Sequence, residues 1–173
     1  LWDEQMVPLH TLESLPCPTI FAAHALCLTA GMELALGCDL VLAARSAQFG
    51  LVERRVGLTP SNGGVQRLAA AVGINRARDL IFTGDLYDAE TMREWGFVTR
   101  VFDDEGFDEA AYAFALEMAS SPTLAHAATK DILRAFVRGG VTQADREMSE
   151  ISSRLFLTED LNNAVAAFLE NGP

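Results

Sequence analysis

The chain has 173 residues, half of them hydrophobic, which suits one domain or a core with a small appendage and is too apolar for a disordered segment. With 13 basic against 24 acidic side chains the net charge is −11, which argues against nucleic acid as a partner, because that binding rests on neutralising phosphates. Cys17, Cys27 and Cys38 form no CxxC pair and His10, His24 and His126 are scattered, so the expectation is no metal site and reduced thiols in a cytoplasmic protein.

Trp2, Met6, Leu9, Leu12 and Leu15 recur at spacings of four and three, which predicts an amphipathic helix ending before Pro16 and Pro18. Residues 19–25 form a short apolar run read as a buried strand, 26–30 a turn region, and 31–36 a helix. Residues 39–43 read as a second buried strand, followed by an extended piece at 48–50. The stretch 57–64 holds Pro60, Asn62 and the adjacent Gly63 and Gly64, which is loop chemistry. Helical periodicity resumes at 65–72 and 76–82, Asp88 is a candidate N-cap ahead of Met92 and Trp95, and 97–102 alternates as another strand. From Phe107 onward only helices are predicted: 107–118, 124–136, and a long last one from Thr142 towards Leu169, with Gly139-Gly140 between the second and third. Alternating strands and helices up to about residue 105 favour an α/β core, residues 1–105, followed by a helical region, 106–173, for packing or assembly. The apolar stretch 20–44 is not read as a membrane span. It carries His24, Glu33 and Asp39, and a central charge costs about 2.5–3.5 kcal/mol.

Glu33 lies in the first turn of a predicted helix among Met32, Leu34, Ala35 and Leu36. An acid in a first turn is favoured by the helix dipole alone. A carboxylate among apolar side chains is also a candidate for acid–base catalysis, since burial shifts its pKa. Glu53 follows an extended piece and precedes the glycine-rich loop; with Arg54 and Arg55 beside it, it reads equally as a paired surface acid. The turn into the helix at Ala30 and Gly31 offers free backbone N–H groups, the geometry of an oxyanion hole or of an ordinary tight turn. Spacing alone decides none of these.

Together these pieces carry a resemblance. Pro18, Ile20, Ala22 and Ala23, then Gly31, Glu33-Leu34-Ala35 and Cys38-Asp39-Leu40, resemble the signature of the crotonase (enoyl-CoA hydratase/isomerase) family. Phe49-Gly50-x-x-Glu53, followed by Gly57-Leu58-x-Pro60-x-x-Gly63-Gly64-x-Gln66-Arg67-Leu68, resembles the family's second block at the right spacing. Thr83-Gly84, Ala89-Glu90, Trp95-Gly96-Phe97-Val98 and, near the end, Glu159-Asp160 with Ala166 through Glu170 match later landmarks.

The resemblance implies a spiral of β-β-α turns, like that of ClpP and crotonase, with C-terminal helices that assemble a homotrimer or homohexamer. It implies an acyl-CoA thioester substrate, coenzyme A being part of that substrate and no other cofactor being needed, with neither nucleic acid nor membrane as partner. By position, Glu33 would activate water and Glu53 would deliver a proton to the α-carbon, while the Ala30 N–H would hold the thioester oxygen. Leu28, Gly31 and Ser61 would bind substrate. Both acids being present favours hydration of a 2-enoyl-CoA, a step of fatty acid metabolism, over isomerisation or another reaction of the family, or a silent member serving as an assembly partner. The chain departs from the pattern at His24-Ala25, where Asn-Gly is usual, at Thr29-Ala30 in the glycine run, and at Ser61-Asn62, where Gly-Ala is usual. Against the family the chain starts at the helix before the signature, so the resemblance also implies a preceding portion that supplies the first oxyanion N–H and much of the coenzyme A pocket.

Overall fold

A computed structural model of the chain describes residues 2–171. It divides into two compact units, Leu1–Leu116 and Glu117–Pro173.

In the first unit the opening helix α1 (Trp2–Ser14) ends just ahead of Pro16, which cannot continue it. Its buried Leu9 lies against Gly37, where any Cβ would collide with the leucine side chain. The chain then visits two sheets in turn. Strand β1 (Ile20–Ala23) enters the first sheet and β2 (Leu26–Leu28) the second, before the short helix α2 (Ala30–Ala35). One coil later β3 (Leu40–Ala44) pairs parallel with β1, Ile20 opposite Leu40, and β4 (Gln48–Gly50) pairs parallel with β2, Leu26 opposite Gln48. After a 3-10 turn (Glu53–Val56) come α3 (Gly64–Val72) and α4 (Ile74–Thr83). Strand β5 (Tyr87–Asp88) closes the second sheet antiparallel to β4, α5 (Ala89–Glu94) follows, and β6 (Arg100–Phe102) adds to β3 in parallel. Helix α6 (Phe107–Ala119) follows, with the Phe107 ring 6.4 Å from that of Phe102 and Phe114 under the Arg100 guanidinium at 4.6 Å.

Side chains fix the register where the strands begin. The Asp39 carboxylate accepts from the Thr19 backbone N–H at 2.7 Å and from its hydroxyl at 2.8 Å, tying the entrance of β3 to that of β1. On the far side of β3 the Thr99 hydroxyl accepts from the Val41 N–H at 3.1 Å, and the Thr99 N–H donates to the Val41 carbonyl at 2.7 Å. Between the layers lies one apolar core that includes Met32, Ala35, Phe49, Leu51, Leu68, Leu80 and Met92, with the Phe49 and Phe97 rings edge to face at 5.6 Å. Burying a side chain such as Met32 or Phe49 contributes about 1.5–3 kcal/mol each, and these two anchor the elements on either side of Glu33 and Glu53.

The expected strand at 19–25 and turn at 26–30 need correction. The chain bends at Ala25 and Thr29, both at positive φ (57° and 49°), and residues 26–28 between them form β2. Glycine or asparagine ordinarily marks such bends; their absence hid the strand. The strand expected at 97–102 is confined to Arg100–Phe102, because Phe97 and Val98 instead close a turn onto the Met92 carbonyl. Asp88 does cap α5, its carboxylate accepting from the Thr91 N–H at 2.7 Å.

The second unit is helical. Helix α7 (Thr123–Ser153) is broken at Gly139 and Gly140, where the sequence placed the separation. The long last helix is corrected: it stops at a 3-10 turn (Arg154–Leu157), and α8 (Glu159–Asn171) starts anew. Among the described residues no helix is long and apolar enough to cross a membrane, and no group of three or more His, Cys, Asp or Glu is placed to hold a metal ion.

Candidate active site

The spiral places Glu33 and Glu53 one coil apart, on the segments that follow β2 and β4 of the same sheet. Glu33 is held in α2 between the fully buried Met32 and the solvent-facing Leu34, and its own side chain is 2% exposed. Two backbone donors of the loop before α3 reach it: the Asn62 N–H at 2.8 Å and the Gly64 N–H at 3.0 Å, both on Oε1. Both donors land on the same oxygen, so the carboxyl is clamped through Oε1. The clamp explains the paired glycines. Gly63 sits at φ 85° and caps α3, while a Cβ on Gly64 would fall 2.8 Å from both Cγ and Oε1 of Glu33.

Glu53 opens the 3-10 turn, half-buried. Burial raises its carboxyl above the ordinary value, a hydrogen bond from its own backbone N–H pulls the other way, and the charge of Glu33 raises it further. That last effect is the smallest of the three. Arg54 and Arg55 do not pair with Glu53. Their guanidiniums donate instead to the carbonyls of Thr83, at 2.5 Å, and Gly84, at 2.6 Å, at the carboxyl end of α4, where cations complement the helix dipole. The charge neighbourhood that the sequence suggested for Glu53 is thereby removed.

Ala30 opens α2 and is exposed; Gly31 follows, and a Cβ there would meet nothing within 4 Å. As first-turn residues they have N–H groups without intrahelical acceptors. The turn that presents them is strained, since Thr29 holds φ 49° and ψ −121°, a conformation that a β-branched residue disfavours, and it is pinned by the Thr29 N–H on the Gly50 carbonyl at 3.0 Å. Leu28 is half-buried at the end of β2, opposite Gly50. Ser61 is exposed and adjoins the Asn62 donor. Among the described residues, Glu53 Oε2 and Asn62 Oδ1 are buried side-chain oxygens without a hydrogen-bond partner, and both lie at this site. Unsatisfied buried acceptors are uncommon in folded proteins.

Sequence reasoning missed the Glu33 clamp, since backbone donors belong to no residue type. It also missed its neighbour Arg67, whose Nε and Nη2 grip Glu13 at 2.7 and 2.9 Å. The doubled glycine was the available signal for the clamp.

Comparison with known proteins joins this geometry to a family. A profile described as enoyl-CoA hydratase/isomerase matches residues 1–173. The chain belongs to that family. Over 111 residues it is 40% identical to mouse mitochondrial methylglutaconyl-CoA hydratase, covering 64% of this chain and 35% of that protein. Over 159 residues it is 34% identical to 2,3-dehydroadipyl-CoA hydratase of Escherichia coli K12, covering 92% of this chain and 62% of that protein. The 1,2-epoxyphenylacetyl-CoA isomerase of the same bacterium is 35% identical over 161 residues, covering 91% of this chain and 60% of that protein. Among solved structures, enoyl-CoA hydratase from Bacillus anthracis superposes with a TM-score of 0.92 at 30% identity, covering 98% of this chain and 66% of that one. Enoyl-CoA hydratase/isomerase from Cupriavidus metallidurans CH34 gives 0.93 at 28% identity, covering 99% and 65%. The fold is therefore the α/β crotonase spiral. The chain spans between 35% and 62% of the length of the three relatives named.

Proposed function

We propose that the whole protein hydrates a 2-enoyl-CoA to the 3-hydroxyacyl-CoA, with Glu33 and Glu53 as its acid–base pair. The observation that carries this reading is the unlike treatment of two neighbouring carboxyls: Glu33 is clamped through one oxygen by two backbone N–H groups, while Glu53 has its pKa raised by burial and by the Glu33 charge. A carboxyl that keeps its proton more readily suits the role of acid, and one whose oxygen is fixed by backbone donors suits that of a positioned base. Oε2 of Glu33 takes a proton from water as the water oxygen bonds to carbon 3. Glu53, holding its proton, delivers it to carbon 2. The proton gained by Glu33 then returns to Glu53 through solvent.

In this reading the Ala30 N–H donates to the thioester oxygen, where negative charge builds as carbon 3 is attacked, and Leu28, Gly31 and Ser61 line the substrate. Gly31 suits that role because nothing else fills the space a side chain would take. The chemistry needs no cofactor beyond the coenzyme A that the substrate carries. Residues 1–105 supply both acids and the Ala30 N–H, and residues 106–173 serve packing and assembly, in a homotrimer or a pair of trimers. Three cysteines with no CxxC pair suit a reducing compartment such as the cytoplasm.

The test is kinetic. Glu33→Gln and Glu53→Gln keep the shape and remove the proton transfer, so each should lower kcat for a 2-enoyl-CoA by roughly 10²–10⁴-fold. The double variant should lose less than the product of the single losses, because both groups act on one transition state. The likeness to an isomerase supports a second reading, in which Glu53→Gln is severe and Glu33→Gln is mild. Unchanged turnover of acyl-CoA substrates in both variants would end the catalytic assignment altogether.

A further inference from the structure

Glu33 is clamped by a loop, and a loop is only as well placed as whatever holds it. Its two donors, Asn62 and Gly64, flank Gly63. Gly63 is where Arg67 rests. The Arg67 guanidinium lies against the bare α-carbon of Gly63, so closely that any Cβ would strike Nη1, and Nη1 and the Arg67 backbone N–H point at the Gly63 carbonyl at 3.4 and 3.3 Å. The guanidinium is itself fixed from the other side. Nε and Nη2 donate to the two oxygens of Glu13, at 2.7 and 2.9 Å, on α1. The Arg67 side chain is 16% exposed and that of Glu13 38%, so the fork is partly shielded from water. Two-pronged pairs of this kind fix direction as well as distance, and partial burial limits their screening.

We propose that Arg67, braced by Glu13, is a positioning residue for Glu33, acting through the 62–64 turn. This rests on the hydratase reading for its kinetic consequence, though not for its geometry. Both donors land on a single oxygen of Glu33, so a shift of the turn moves that oxygen and, with it, the direction of Oε2. Proton transfer depends steeply on such alignment, whereas in the hydratase reading the thioester is held mainly from Leu28, Ala30 and Gly31, with Ser61 alone adjoining this turn. The loss should therefore appear in kcat and leave KM nearly alone.

Arg67→Lys preserves the charge and removes the fork. In the whole protein it is expected to lower kcat for a 2-enoyl-CoA by about 10–100-fold, the usual effect of a small misplacement. Glu13→Gln should act in the same direction and less strongly. Neither change should slow the enzyme further once Glu33→Gln is present, because the brace then has no base to place. A second measurement works without turnover: deuterium uptake at the amides of residues 61–65 should speed up in both variants while α4 keeps its protection. Equal losses with and without Glu33→Gln, a change confined to KM, or unaltered exchange in folded Arg67→Lys protein would each overturn the proposal. Should Arg67→Lys fail to fold, the same readings on Glu13→Gln decide it. If Glu33→Gln itself leaves turnover intact while the amides respond, the hydratase reading fails and the brace stands.

Discussion

Glu53 is a carboxyl that the fold makes harder to ionise. Burial and the Glu33 charge raise its pKa from 4.5. The folded protein thus binds this proton more tightly than the unfolded chain does. The stability this contributes is present below the ordinary carboxylate range and is lost as pH climbs through the raised value. Glu53→Gln removes an ionisation that folding opposes, so thermal denaturation should show a higher Tm than wild type at about pH 7 and nearly the same Tm at about pH 4. A gain independent of pH would mean that packing, not ionisation, separates the two proteins. Gly64→Ala tests the other acid. Its Cβ would sit 2.8 Å from Glu33 Oε1 and 3.1 Å from Pro60 Cβ, so the carboxylate must yield. Overpacking of this kind costs about 1–3 kcal/mol, and kcat should fall with Tm, which paired melting and activity assays would show. The two glutamates were legible as positions in a motif. What the motif could not convey was their environment: two adjacent arginines promised ion pairs for Glu53, yet both turn towards the carboxyl end of α4.

At the scale of elements, legibility tracked residue chemistry closely. Asp88 was readable as a cap because its carboxylate does a local job three residues on. The break at Gly139-Gly140 was readable because Gly140 adopts φ 70° and ψ −167°, a region open to glycine almost alone. Strand β2 was unreadable, since Ala25 and Thr29 take left-handed conformations without the residues that announce them. Strand β5 was missed because two residues make no period, and only their pairing to β4 defines them. The break yields its own prediction. A Cβ on Gly140 meets nothing within 4 Å, so Gly140→Ala adds no clash and its cost is conformational. It should destabilise the helical unit by about 1–3 kcal/mol, visible as a lower melting temperature with little effect on turnover measured well below it. A neutral result would mean that α7 runs straight through without loss.

The whole molecule presents a mismatch between charge and apolar surface. In the unit Glu117–Pro173, Phe136, Val137, Phe156, Leu157 and Leu169 are all at least 49% exposed, with Leu157 at 89%. Scattered exposed hydrophobes are ordinary, but so many large ones on a few helices exceed what a monomer usually shows. The sequence displayed this surplus beyond residue 105, although nothing in it said which positions would stay uncovered, because that depends on how α7 bends and where α8 restarts. Covering them with further copies of the chain has an electrostatic cost, since each copy carries a net charge of −11. If apolar burial drives assembly against that repulsion, added salt should tighten it, whereas an assembly held by ion pairs would loosen. Sedimentation velocity at micromolar protein is therefore expected to find oligomers, their fraction rising between roughly 0.05 and 0.5 M salt as the Debye length shrinks. Phe136→Glu and Leu157→Glu should shift the distribution towards monomer, since a charge cannot be buried unpaired at an apolar contact. Monomers at both salt concentrations, or oligomers indifferent to both substitutions, would show that these side chains do not carry the assembly.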